Sequence, residues 1–327
     1  MRANVIYHDD GVGLASDAEI VSERLRRLGV EVTRSECFDH RGPARRCDIN
    51  LYLELFDPFW LDQARAAYLI PNQEWLSVGS LPDIATLDAV LCKTRFADNV
   101  LRRYGIPTSY IGFTSRDRYR SSVPKDFGKW LHLVGRSGQK GTETVIETWK
   151  ENPGFPLLTI VRHPDHHECA GMIARAGAAN IREIAAYLGE DDLIEILNSH
   201  EVHVCPSEIE GFGHSLNEAR SCKAVVVTTD APPMNELVTR RWGVPVTADD
   251  VSEDPDYPGI TRRFHVTTER LAQAVRRVMA LSCTARAVLG ERARERFLEE
   301  DRRFGKAFDL FIRMRHNPGH NNGGAAH

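Results

Sequence analysis

The stretch Val202-His203-Val204-Cys205-Pro206-Ser207-Glu208-Ile209-Glu210-Gly211-Phe212-Gly213-His214-Ser215-Leu216-Asn217-Glu218-Ala219 decides how this chain is read. Its first four residues form a short run rich in β-branched valine, the composition of a strand buried in a parallel sheet. A loop carrying Gly211 and Gly213 follows, and a helix is predicted to open near His214. Glycine admits backbone angles and a close approach that a side chain forbids, so the first free N–H groups of that helix are expected to face a ligand directly. Such a helix start attracts phosphate. A carboxylate aimed at the same phosphate would repel it, so Glu210 and Glu218 fit better as acceptors of hydrogen bonds from hydroxyls on either side of a diphosphate. The competing reading makes Glu210 a solvated loop residue and Glu218 an exposed helix residue.

The same strand-then-helix rhythm extends to both sides. Residues 130–134, 157–161 and 224–227 are apolar runs of strand length, separated by helix-like segments at 142–149, 191–198 and 214–222. Upstream, strands are predicted at 5–7, 50–53, 67–70, 89–92 and 109–112. Between them Ala18, Val21, Leu25 and Leu28 recur at helical spacing, as do Val100, Leu101 and Tyr104. Alternation of this kind specifies an α/β fold with parallel sheets, here two Rossmann-like doubly wound domains. The polar stretch 114–129 lacks any apolar period and is expected to link them, dividing the chain into domains at 1–120 and 121–300. The tail 317–327 is expected to be disordered.

Pro206-Ser207, Glu210-Gly211-Phe212-Gly213 and Glu218-Ala219 together resemble the signature of the retaining glycosyltransferases of family 4, within glycosyl transferases group 1. That resemblance implies the GT-B fold, in which two domains face a central cleft. It also implies transfer of a sugar from a nucleoside diphosphate sugar to an acceptor hydroxyl, with retained anomeric configuration and with neither metal nor cofactor. By position, Glu210 would contact the donor sugar and Glu218 the ribose, with Gly211, Phe212, Gly213, His214 and Ser215 lining the donor. The donor is then expected in the second domain and the acceptor, a glycan, a lipid-linked sugar or a small molecule, on the side of the first. In such proteins a final helix, here 301–316, returns to pack on the first domain, and Phe308, Leu310, Phe311 and Met314 form the apolar face assigned to that contact.

A second element, Gly135-Arg136-Ser137-Gly138-Gln139-Lys140-Gly141, also lies between a predicted strand and a predicted helix. Arg136 as a rigid fork and Lys140 as a point charge suit a diphosphate, and such cations stabilise charge on a leaving group. The resemblance gives both this role beside Glu210 in catalysis; the simpler alternative is a pair of loop cations. Gly11 and Gly13 form a turn after the first strand that suits a phosphate or sugar. Asn72 and Glu74 stand where many relatives of that family carry a sugar-facing histidine, which is missing here. Glu236 opens a helix after 224–227, either touching donor or complementing the helix dipole. Arg162-His163-Pro164-Asp165-His166-His167-Glu168-Cys169 holds metal-ligating residue types but no recognised zinc spacing, and is read as a polar loop.

At 327 residues, with 42% hydrophobic side chains, the chain is long enough for two cores. A net charge of −4 argues against nucleic acid as a partner. Seven scattered cysteines point to a reducing compartment, and no apolar run is long enough to span a bilayer, so a cytoplasmic protein is expected. Arginine clusters at 24–27, 45–46 and 102–103 leave peripheral contact with the inner membrane face as a second reading against plain solvated helix ends. Two rival functions share the expected fold: a sugar-nucleotide epimerase or phosphorylase, and a nucleotide-sugar-binding protein without turnover.

Overall fold

Six parallel strands make each of two sheets in the computed structural model, which describes residues 1–9, 13–42, 45–253, 260 and 262–316. Two units partition the chain: Met1–Pro71, Pro82–Thr114 and the chain from Glu299 in the first, Asn72–Leu81 and Ser115–Leu298 in the second. The first unit carries β1 (Arg2–Tyr7), α1 (Gly13–Arg27), β2 (Glu31–Glu36), β3 (Cys47–Leu53), β4 (Ala64–Ile70), α2 (Leu81–Ile84, entered from the second unit), β5 (Ala89–Cys92), α3 (Arg95–Arg103) and β6 (Thr108–Tyr110). Its sheet order is β2-β1-β3-β4-β5-β6. β2 escapes prediction because it is a charged edge strand, mostly half-buried or exposed, and so has no apolar run to betray it. Beneath the sheet's end a buried ion pair joins Lys93 to Asp17, with the ammonium also 4.8 Å from the centre of the Phe113 ring.

The second unit runs β7 (Asp126–Gly135), α4 (Thr142–Glu151), β8 (Leu157–Arg162), α5 (His167–Ala176), β9 (Ile181–Ala185), α6 (Glu190–Ser199), β10 (His200–Cys205), α7 (His214–Ser221), β11 (Val225–Thr229), α8 (Met234–Leu237) and β12 (Val244–Val246). An antiparallel hairpin, β13 (Asp250–Glu253) and β14 (Arg262–His265), and helix α9 (Thr268–Ala280) follow. All six residues of β10 are buried, as the centre of a doubly covered sheet requires. One face of the sheet packs Trp130, Ile160, Val204 and Val227 against Val145 and Trp149 of α4 and Leu271 and Val275 of α9. The other face packs Leu131 and Val161 against Leu197 of α6 and Cys222. Strand β7 begins earlier than the apolar run suggests, and Arg118 is buried, so the polar stretch from Ser115 to 129 is built into the second unit rather than left as a tether. Likewise the His-rich segment is in part a helix: His166 caps α5, its Nδ1 accepting from the Cys169 amide at 3.4 Å.

The order of the second sheet is β12-β11-β10-β7-β8-β9. From β7 the chain steps outward through β8 and β9, then returns to lay β10 on the other side of β7. The connections after β7 and after β10 therefore depart to opposite faces, leaving a crevice at the carboxyl ends of these two strands.

The expected terminal helix 301–316 is the end of one longer helix, α10 (Cys283–His316). Its part beyond Glu299 belongs to the first unit, where Phe304, Phe308 and Ile312 are buried. The expected face is corrected here. Leu310 and Met314 are 59% and 67% exposed, because residues four apart share a helix face and the stripe runs through 304, 308 and 312. Phe311 lies at its margin, edge-on to Tyr68 with ring centres 5.0 Å apart. Arg24 of α1 donates to both carboxylate oxygens of Asp309, in space that Gly305 leaves for its guanidinium. The tail 317–327 and Gly11 lie outside the described residues.

Candidate active site

Two loops line the crevice of the second sheet, and the sequence dictates their contact. Gly141 ends the first at φ +65°, and a Cβ there would lie 2.2 Å from the carbonyl oxygen of Pro206 in the second. The Glu208 amide donates to the Gln139 carbonyl at 2.9 Å, and Thr229 Oγ1 donates to the Ser207 carbonyl at 2.7 Å. Below them His132 of β7 bridges the Val204 carbonyl (Nδ1, 2.7 Å) and Thr142 Oγ1 (Nε2, 3.0 Å). Complete burial pulls its pKa down to about 4, so it is a neutral structural stitch.

Held this way, Lys140 lies 2.6 Å from Glu210 Oε1, the oxygen that also accepts from Ser207 Oγ at 2.7 Å. Glu210 and Glu218 are each 9% exposed, so neither is a solvated surface glutamate. Gly211 serves close packing rather than an unusual backbone angle: its absent Cβ would stand 2.5 to 2.6 Å from carboxylate oxygens of Glu74 and from Asn72 Oδ1. Gln73 Nε2 donates to the Glu210 carbonyl at 2.8 Å. Thus Asn72 and Glu74, read from sequence as residues of the first domain, stand beside the Glu210 loop within the second unit.

Gly213 does need its freedom, with φ +99° at the start of α7. The Asn217 amide bonds back to the Gly213 carbonyl, and the buried Ser215 Oγ in this first turn of α7 has no partner among the described residues. His214 Nδ1 is 2.8 Å from Ser115 Oγ, and Phe212 packs edge-on against the imidazole. Arg136 is exposed, its guanidinium 3.0 Å from His163 Nε2, which brings the His-rich loop to the rim of the same crevice. Glu236 is half-buried in the first turn of α8, after the neighbouring strand β11. Gly13 opens α1 in the first unit.

Sequence reading misses Arg118. Its Nε donates to Glu218 Oε1 at 3.2 Å and its Nη1 to Glu190 at the start of α6. Arginines at 116, 118 and 120 facing the acidic run 190–192 were the available signal, but nothing local says that the two segments meet. Among the described residues no group of histidines, cysteines and carboxylates is arranged to hold a metal ion.

Two parallel sheets with helices, the second wound about a crevice that gathers basic side chains, carboxylates and a helix N-terminus, define an α/β protein of the GT-B fold. Residues 119–253, which carry Lys140, Glu210, Glu218 and the α7 helix start but not Asn72–Glu74, Ser115 or Arg118, match the family described as glycosyl transferases group 1. Among solved structures, a sucrose-phosphate synthase from Thermosynechococcus elongatus is similar, with a TM-score of 0.75 and 15% identity over 96% of this chain and 99% of that one. Anabaena HepE in complex with UDP and glucose gives 0.69 and 15% over 96% and 99%. An E. coli structure described as trehalose-6-phosphate bound with UDP-2-fluoro glucose gives 0.71 and 10% over 95% and 98%. At these identities the likeness establishes fold. Comparison by sequence with curated proteins finds no match.

Proposed function

We propose that this protein is a retaining glycosyltransferase that moves a sugar from a nucleoside diphosphate sugar to an acceptor hydroxyl without a divalent metal. One observation carries the reading: the switch point of the second sheet brings Lys140, Glu210 and the unpartnered Ser215 Oγ at the start of α7 together on two loops locked by Gly141. The group 1 match and neighbours bound to UDP with glucose or to UDP-2-fluoro glucose support it.

The leaving diphosphate sits at the α7 amides and Ser215 Oγ, where the helix dipole and buried donors favour negative charge. Lys140 turns from Glu210 toward the phosphate as the donor enters, and Arg136 adds a second cation at the rim. Charge that grows as the glycosidic bond breaks is met by donors already in place, the role a metal plays in other transferases. Glu210, released from Lys140, accepts from a sugar hydroxyl, and Glu218 accepts from the ribose. The acceptor hydroxyl then attacks on the face the diphosphate leaves, passing its proton to the departing diphosphate oxygen, which retains configuration. Glycans, lipid-linked sugars and small molecules remain the acceptor classes this chemistry allows, in a cytoplasmic setting that includes the inner membrane face.

The test is release of nucleoside diphosphate from a panel of sugar nucleotides with and without acceptor extract. Glu210→Ala and Arg136→Ala are each expected to lower transfer by about 100-fold or more, the usual effect of removing one such interaction. Rates within a few-fold of the parent would overturn the assigned roles. Chelator is expected to leave turnover unchanged; abolition by chelator and recovery with manganese would sink the metal-free mechanism, and an inverted product anomer would sink retention.

A further inference from the structure

We infer that Arg118 is the positioning residue for Glu218, holding one carboxylate oxygen so that the other is presented to the ribose of the donor; the inference rests on the donor-site reading above. Arg118 is buried and tied through its amide, its carbonyl, Nε and Nη1. Its amide donates to Ser221 Oγ at 3.0 Å, and Ser221 Oγ donates to the carbonyl of Glu218 itself at 2.7 Å. Its carbonyl accepts from Asn198 Nδ2 of α6 at 2.7 Å. The guanidinium is therefore delivered from a backbone pinned to both α6 and α7, with side-chain exposures of 7% for Arg118 and 12% for Glu218.

The geometry divides the carboxylate. Oε1 accepts from Arg118 Nε, whereas Oε2 has no partner among the described residues and is absent from the fully buried polar atoms that lack one. An ionised carboxylate has capacity for several donors, so one oxygen fixed by an arginine leaves a directed acceptor for a pair of vicinal hydroxyls. Glu190 takes the outer edge of the same guanidinium, and Arg116 lies 3.8 Å from its other oxygen, so Arg118 is held from its solvent side as well. A glutamate free to rotate would lose rotamer freedom when the ligand arrives; one already fixed does not.

The experiment compares the best-binding of uridine, guanosine and adenosine diphosphate with its 2′,3′-dideoxy analogue by calorimetry. The parent is expected to prefer the ribose form by about tenfold or more, the scale of a hydrogen bond to a charged group. Arg118→Met is expected to lose that preference, Glu218→Gln to lose it similarly, and the double variant to lose nothing further. Arg118→Lys should restore part of it, while inorganic pyrophosphate binds all variants alike. A folded Arg118→Met that discriminates as the parent does would overturn the inference. Should Arg118→Met fail to fold, Arg118→Lys decides: unchanged discrimination there overturns it too. Failure of the parent to bind any nucleoside diphosphate removes the donor-site reading itself and the inference with it, whereas binding without ribose preference removes the inference alone.

Discussion

At the scale of single residues, the site depends on one missing methyl group. Gly141 combines φ +65° with an absent Cβ that would lie 2.2 Å from the Pro206 carbonyl oxygen, so both backbone angle and space exclude a side chain. Gly141→Ala is expected to cost about 2 kcal/mol or more in urea unfolding, since strain at positive φ adds to an overlap with rigid backbone. Loss of transfer activity should exceed the loss of stability, because the substitution parts the loops that carry Lys140 and Glu210. An unchanged urea midpoint would show that the loops are not in contact as described. The glycines of 211–213 were legible as a signal of close approach, but not what approaches. Gly211 makes room for Glu74 and Asn72, an arrangement that no spacing within 72–74 or 206–219 announces.

At the scale of elements, helix α10 shows where periodicity misleads. Phe308 is buried, as its spacing predicts, but Leu310 and Met314 face outward because the neighbours available to the helix lie along 304, 308 and 312. Apolar residues were dense enough in this segment to draw more than one stripe, and packing chose. Gly290, in the same helix, lies against the chain at Lys223, whose carbonyl oxygen would be 2.1 Å from an added Cβ. In an isolated helix glycine to alanine stabilises by about 1 kcal/mol. Here the sign reverses: Gly290→Ala is expected to lower Tm by several degrees in a thermal melt, and a rise in Tm would place the helix away from Lys223. Short or edge elements such as β2 and β9 are illegible for a different reason, since they carry charged residues (Glu31, Arg34 and Glu36; Arg182 and Glu183), are half-buried or exposed throughout and have no apolar run of strand length.

At the scale of the molecule, stability should depend on pH through histidines buried in the second sheet. Burial holds His132 at about 4, His203 well below the ordinary value of 6.5 and His200 lowered. A histidine whose folded pKa is depressed binds more protons when unfolded. Its contribution is therefore complete above pH 6.5 and is lost as pH falls from there toward 4, on the order of 3 kcal/mol for His132 alone. The urea midpoint is expected to drop between pH 7.5 and 4.5, and His132→Gln to flatten that drop while lowering stability at pH 7.5. A parent profile as flat as the variant's would refute the neutral buried imidazole. The two-sheet α/β plan is legible because most of the central strands and the amphipathic helices announce themselves within a few residues. That β10 returns beside β7 was not, since strand order is a property of the whole sheet.

The sequence by itself determined the class of fold, the strand-loop-helix junction at 202–219 and the residue types that gather there, because periodicity, glycine and helix starts act over a few neighbouring positions. Only the tertiary structure decided the partners: Lys140 with Glu210 across 70 residues, Arg118 with Glu218 across 100, and Glu74 against Gly211. Those pairings follow from which strands lie side by side, and burial of charge then selects the side chains that can neutralise one another.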